Sequence, residues 1–214
     1  MKVLKRIVLA IVILVVVLAG IGFLLPSTYK VERSTVVQAP AEVVFDQVND
    51  LKKADVWSPW KTDPTMKITF GDLTAGKGAS SSWTSKDMGN GTQTIEESVP
   101  NQAITVGLDF GKMGTAKSHW TFVPEGEGIK VTQDITGDQG MNPVKRWMGL
   151  MMDKLMGSYF EKGLASLKQA SETRAAELKT EQAATQQAAA TPAEGAPAAA
   201  PATTAVPAPA KKAP

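Results

Sequence analysis

His119 is the only imidazole among 214 residues, and the chain has no cysteine. An imidazole acts as acid or base against a second group, a nucleophile that it deprotonates or a carboxylate that orients it. Ser118 cannot be that nucleophile if both residues lie on a strand, because successive side chains leave opposite faces. The same alternation separates Glu96 from Glu97, adjacent carboxylates that would otherwise suit a shared-proton acid and base. One of the two could face an interior and have its pKa raised by burial, although a solvated strand edge asks for less. Without cysteine there are no disulfides, thiolate zinc sites or thiol nucleophiles, and the scattered carboxylates lack the spacing of a calcium loop. Gly76-Lys77-Gly78 and Gly126-Glu127-Gly128 lack the third glycine and the strand-to-helix setting of a phosphate cradle. These residues call for no metal and no cofactor, and they leave His119 as a lone, weak catalytic candidate.

Apolar binding has more material. Trp57, Trp60, Trp83, Trp120 and Trp147 each join a large apolar ring to one polar N–H, and Met148, Met151, Met152 and Met156 supply unbranched, adaptable surface. Trp120 and Phe122 share one face of a strand. If that face is concave, they meet a Met148/Met151/Leu155 stripe across a pocket. The expected lining is therefore Trp57, Trp60, Trp83, Trp120, Phe122, Met148, Met151, Met152 and Leu155, with plain core filling as the competing use of the same side chains.

The elements that would position these groups are readable from pattern. Val31 to Val37 has the β-branched content of a strand. Ala39-Pro40-Ala41-Glu42 starts a helix whose apolar side is Val44, Phe45 and Val48, and Asn49-Asp50 caps a second short helix that must end before the proline of Trp57-Ser58-Pro59-Trp60. Six strand-like runs follow: Met66 to Phe70, Ala79 to Thr84, Thr92 to Val99, Ile104 to Phe110, Lys117 to Val123 and Ile129 to Ile135. Asn90-Gly91, Pro100-Asn101 and Gly126-Glu127-Gly128 read as hairpin punctuation. From Pro143 to about Glu177, Val144, Trp147, Met148, Met151, Leu155, Tyr159, Leu164 and Leu167 recur at helical spacing, opposite Lys145, Arg146, Gly149, Asp153, Gly157 and Glu161. The order predicts an α+β domain in which a curved antiparallel sheet covers the apolar stripe of a long closing helix.

Both ends differ in composition from this middle. Ile7 to Leu25 is a run of nineteen residues without a charge, a helix of about 28 Å and thus close to bilayer thickness. Lys2, Lys5 and Arg6 precede it, so the positive-inside bias keeps the amino end cytoplasmic and places the rest outside. Val17 and Ala19 would also suit a signal-peptide cut before Gly20, but the apolar run continues through Ile21, Phe23, Leu24 and Leu25, which favours an uncleaved anchor. From Thr180 onward, 15 Ala and 6 Pro among 35 residues predict a disordered tail. The expected division is anchor 1–29, folded domain 30–179 and tail 180–214. Residues 30–179 hold 18 basic and 19 acidic side chains, so the net charge of +2 comes from the ends and no nucleic-acid surface is indicated.

The stretch Ser34-Thr35-Val36-Val37-Gln38-Ala39-Pro40-Ala41-Glu42-Val43-Val44-Phe45, followed by Val48-Asn49-Asp50, Trp57-Ser58-Pro59-Trp60, Asp63-Pro64, and Phe160-Glu161-Lys162-Gly163-Leu164 with Leu167-Lys168, resembles the START-like (SRPBCC) superfamily in its bacterial polyketide cyclase/dehydrase-like branch. The resemblance covers roughly residues 30 to 170. It implies a helix-grip fold, a sheet gripping a carboxyl-terminal helix around an apolar cavity, and members that include lipid carriers, receptors and cyclases. With the anchor, it implies a single-pass protein of the bacterial cytoplasmic membrane whose extracytoplasmic domain binds a lipid or other hydrophobic small molecule as carrier or sensor. A cyclase or dehydratase using His119, or a ligand-free envelope scaffold, are the alternatives.

Overall fold

The computed structural model describes residues 1–190. An apolar helix, α1 (Lys2–Leu24), leads into β1 (Thr28–Val37), two short helices α2 (Ala41–Asn49) and α3 (Leu51–Trp57), and a 3-10 turn (Pro59–Thr62). Six strands follow: β2 (Lys67–Phe70), β3 (Ser80–Thr84), β4 (Asn90–Val99), β5 (Ala103–Asp109), β6 (Thr115–Glu125) and β7 (Gly128–Asp138). The closing helix is α4 (Pro143–Ala190). All seven strands form one antiparallel sheet in the order β1-β7-β6-β5-β4-β3-β2, so a meander of six is completed by the first strand returning beside the last. This is the expected α+β helix-grip architecture.

The local reasons match the chemistry of the chain. The Asp50 carboxylate accepts from Lys52 N at 2.9 Å and so caps α3. The β4–β5 turn places Asn101 at φ 59°, a conformation that asparagine tolerates, and Gly126 at φ 62° makes the tight β6–β7 turn. Asn90-Gly91, expected as a turn, instead opens β4, and the β3–β4 connection runs through Ser85 and Gly89. Gly91 is needed there for space, since a Cβ would lie 2.2 Å from the Trp83 ring.

α4 continues as helix through Ala190, beyond the end expected near Glu177, because alanine, glutamine and glutamate propagate a helix and the next proline is Pro192. The tail expected over 180–214 otherwise lies outside the described residues. Two compact units are distinguished, residues 1–178 and 179–214, and all that follows concerns the first.

The inward face of the sheet and α4 bury two apolar clusters. The larger gathers Val37, Val44, Phe45, Val48, Leu51, Trp57, Ile95, Ile104, Trp120, Phe122, Val131, Leu164 and Leu167. The smaller has only Val31, Ala116, Ile135 and Phe160 fully buried, with Tyr29, Leu108, Phe110, Met152 and Met156 half-buried around them. An ionic clamp ties the edge strand to the helix. Arg33 donates from Nε to Glu161 at 2.9 Å and from Nη1 to Asp153 at 2.8 Å, and it crosses α4 at Gly157, where a Cβ would stand 2.2 Å from Nη2.

Candidate functional site: the seam of the grip

Strand register defines what faces the interior. One inward row crosses five strands as Ile95, Val106, Ser118, Ile135 and Val31, every member buried. Ile95 and Val106 belong to the larger cluster, Ile135 and Val31 to the smaller. Along β6 the inward side chains are Ala116, Ser118, Trp120 and Phe122, again passing from the smaller cluster to the larger at Ser118. The Ser118 hydroxyl is fully enclosed, and among the described residues no group hydrogen bonds to it. A polar atom thus lies at the seam between a tight cluster and a loose one. One row away, Gln93 Nε2 donates to Ser81 Oγ at 2.8 Å, a second inward polar pair that satisfies itself.

The tight side is closed by aromatic contacts. Trp57 meets Trp120 edge-on at 6.0 Å between ring centroids, and Phe45 meets Phe122 at 5.5 Å. The Trp57 indole donates to the Gln47 carbonyl at 3.1 Å, so its polar atom is engaged in joining α3 to α2. Trp60 stacks on Tyr159 of α4 at 4.8 Å, with Pro59 against Gly163. Trp60 and Pro59 hold the helix down. On the loose side Trp83 meets Phe110 at 5.7 Å, and the Tyr29 phenol, half-buried over Gly137, has its pKa raised by burial.

Of the expected lining, Trp57, Trp120 and Phe122 come together as densely packed core, Trp60 and Trp83 line the margins, and Met152 faces the smaller cluster. Met148, Met151 and Leu155 do not join them. They are 53%, 54% and 50% exposed and belong to neither cluster. The reason lies in the first half of α4, whose sheet-side positions are Gly149, Met152, Met156 and Gly157. Gly157 lets the helix approach Arg33, Gly149 lies against Tyr29 and Gln139, and with this side on the sheet the larger apolar stripe is turned outward. Ser118 was missed as a site residue, although the alternation that pairs Trp120 with Phe122 also carries Ser118 to the same face.

The catalytic candidates fall elsewhere. His119 lies on the outer face, in a row Glu32, Asp134, His119, Thr105 and Glu97, with Nδ1 at 3.3 Å from Thr105 Oγ1. Ser118 and His119 do point to opposite faces. Glu96 and Glu97 do not. A β-bulge between Ile95 and Glu97 puts both on the outer face, where Glu96 covers Gly107 and accepts from Lys117 Nζ at 2.7 Å. The buried carboxylate of Asp63 is held by Ser85 and Thr65, and the Ser85 and Thr65 hydroxyls keep its pKa below the ordinary range, as suits a loop-closing anion rather than a proton donor.

The fold and this interior can be set beside known proteins. A relative 28% identical over 126 residues, 56% of this chain and 81% of its own length, is the ribosome association toxin RatA of Pseudomonas aeruginosa. Among solved structures, the di-domain aromatase/cyclase StfQ of the steffimycin biosynthetic pathway superposes with a TM-score of 0.52 at 16% identity, covering 70% of this chain and 52% of its own. A protein of unknown function from Staphylococcus aureus, SA2116, gives 0.52 at 12% identity over 69% of this chain and 95% of its own. At those identities the structures speak for fold alone. The family model described as polyketide cyclase / dehydrase and lipid transport matches residues 28–172, more than half of the sequence, and the chain belongs to that family.

Proposed function

We propose that this protein is a membrane-anchored binding module that holds a lipid or another apolar small molecule at the seam of its grip, as carrier or sensor. The observation that carries the reading is the Ser118 hydroxyl, buried in an otherwise aliphatic row with no partner among the described residues. Leaving such a group unpaired costs about 1–3 kcal/mol, and a ligand's polar end meeting it there removes that cost. The surroundings suit such a guest. Met152 and Met156 are half-buried and unbranched, so they repack around an acyl or polycyclic body. Family membership supports the same chemistry, since its description joins polyketide processing with lipid transport.

The anchor reading rests on α1, which is long and apolar enough to cross a bilayer and leaves its side chains exposed. With Lys2, Lys5 and Arg6 held inside, the grip lies on the outer side of the cytoplasmic membrane. A cyclase that uses His119 gains no support, because that ring is on the face of the sheet turned from the seam. A ribosomal partner, as in the name of the Pseudomonas aeruginosa relative, would call for a basic surface, whereas residues 30–179 are close to neutral.

The test is native mass spectrometry of the full chain purified from membranes in mild detergent, before and after organic extraction. Discrete adducts that vanish on extraction and return with added fatty acid or phospholipid are expected, with weaker return in a Ser118→Ala variant. A clean mass that stays clean on addition refutes the reading.

A further inference from the structure

The outward stripe of α4 has no counterpart in the grip, yet it has a neighbour. Its first turns are fastened to the end of α1. Trp147 Nε1 donates to the Leu18 carbonyl at 3.1 Å, and Arg146 Nη1 donates to the carbonyls of Phe23 at 2.7 Å and Leu25 at 3.0 Å. Gly22, the one buried residue of α1, gives Pro143 room, since a Cβ there would lie 2.7 Å from the proline Cβ. Arg146 therefore satisfies carbonyls that the end of a helix leaves open.

These contacts fix a depth. Leu18 precedes the end of α1 at Leu24 by six residues, about 9 Å along a helix. If α1 spans a bilayer, the Trp147 ring lies within the leaflet into which α1 ends. From Trp147 the exposed side chains Val144, Met148, Met151 and Leu155 run along one flank of α4, spaced four, three and four residues apart. The adjoining charges suit a lipid headgroup layer. Lys145 and Lys154 flank the stripe, and no acid occurs between Asp138 and Asp153, the latter paired with Arg33.

We infer that the first three turns of α4 are a bilayer seat, with Val144, Met148, Met151 and Leu155 in the acyl boundary of the leaflet where α1 ends, so that the grip lies on the membrane rather than standing off it. The inference rests on the membrane-anchored reading of α1 and adds the surface that the folded domain itself presents to lipid.

The absence of cysteine permits a direct test. Single variants Met148→Cys, Met151→Cys and Leu155→Cys of the full chain carry a nitroxide in vesicles of phosphatidylcholine with phosphatidylglycerol. Val12→Cys in α1 and Thr121→Cys on the outer sheet face serve as references. The seat predicts that the three α4 labels show an oxygen-to-nickel collision ratio several-fold above that at position 121 and close to that at position 12. Ratios like that at position 121, with position 12 still in lipid, overturn the seat and leave the anchor standing. Loss of both collision rates with spin–spin broadening assigns the stripe to a second copy and overturns it equally. A water-exposed label at position 12 overturns the anchor reading itself, and the seat with it.

Discussion

Replacing Ser118 by alanine should move stability and binding in opposite directions, and this is the sharpest consequence of a hydroxyl enclosed without a partner. In the ligand-free chain the substitution removes a desolvation penalty of about 1–3 kcal/mol. It also removes one heavy atom from a close-packed row, and a residual void of about 15 Å3 at about 24 cal/mol per Å3 costs about 0.4 kcal/mol. The net is a gain of about 1 kcal/mol, which raises Tm by about 2–4 °C in a domain of this size. In the liganded chain the variant loses a hydrogen bond of about 0.5–1.5 kcal/mol, or about two- to tenfold in affinity. The assay pairs thermal unfolding of the extracted chain by circular dichroism with titration of the ligand identified by mass spectrometry. A lower Tm would show that the hydroxyl is structurally partnered. An unchanged affinity beside a raised Tm would show that no ligand meets it, and either result removes the seam as the binding site.

Leu167→Ala, at a position with no exposure, should cost about 2–5 kcal/mol in urea unfolding, whereas Leu155→Ala on the outward flank should stay within about 0.5 kcal/mol in detergent; similar costs would refute the assignment of the two faces of α4. Arg33→Ala should lower the urea midpoint at neutral pH. Arg33 depresses the Asp153 pKa, so the clamp's contribution is present above the ordinary value of 3.8 and is lost as pH falls through the lower folded value; the wild-type and variant midpoints should converge in acid, and a gap that persists there would refute an ionic clamp. Gly157→Ala should gain about 0.5–1 kcal/mol of helix propensity in the Arg33→Ala background and less in the wild type, where the new Cβ meets the guanidinium; equal gains in a double-mutant cycle would mean that Arg33 does not lie across that glycine.

The strands were legible because alternation and turn residues agreed. All six runs after α3, and the strand before α2, appear within a few residues of their expected limits. The failures come where one local rule is overridden by a contact invisible in one dimension. Asn90-Gly91 has the composition of a hairpin turn, but the glycine is there to admit the Trp83 ring. Glu96 and Glu97 were separated by alternation, and a bulge opposite Thr105 and Val106 restores them to one face. The helix end expected near Glu177 is overrun, since the next helix-breaking residue is Pro192, while the compact unit still ends at Leu178.

The misreading of α4 has the most informative cause. Between Pro143 and Phe160 the helix carries apolar side chains on two flanks, Val144, Met148, Met151 and Leu155 on one, Met152, Met156 and Phe160 on the other. Periodicity finds the larger stripe and assigns it to the sheet, since in a domain free in water the larger apolar surface is the one buried. Two features in the sequence argue against that assignment. Gly149 and Gly157 stand eight residues apart on the side read as polar, and Asp153 and Glu161 stand at the same interval beside them. A glycine there marks close approach, as Gly157 makes to Arg33, and carboxylates two turns apart mark a cation laid along the helix, which β1 supplies as Arg33. The side of α4 that carries Gly157 is thus the side held against β1, and of the residues near the leftover apolar stripe Trp147 meets α1. A helix that is apolar on two flanks has two apolar surroundings to meet. In this chain one is the loose cluster at the Ser118 seam, and the bilayer seat proposed for Val144, Met148, Met151 and Leu155 would supply the other.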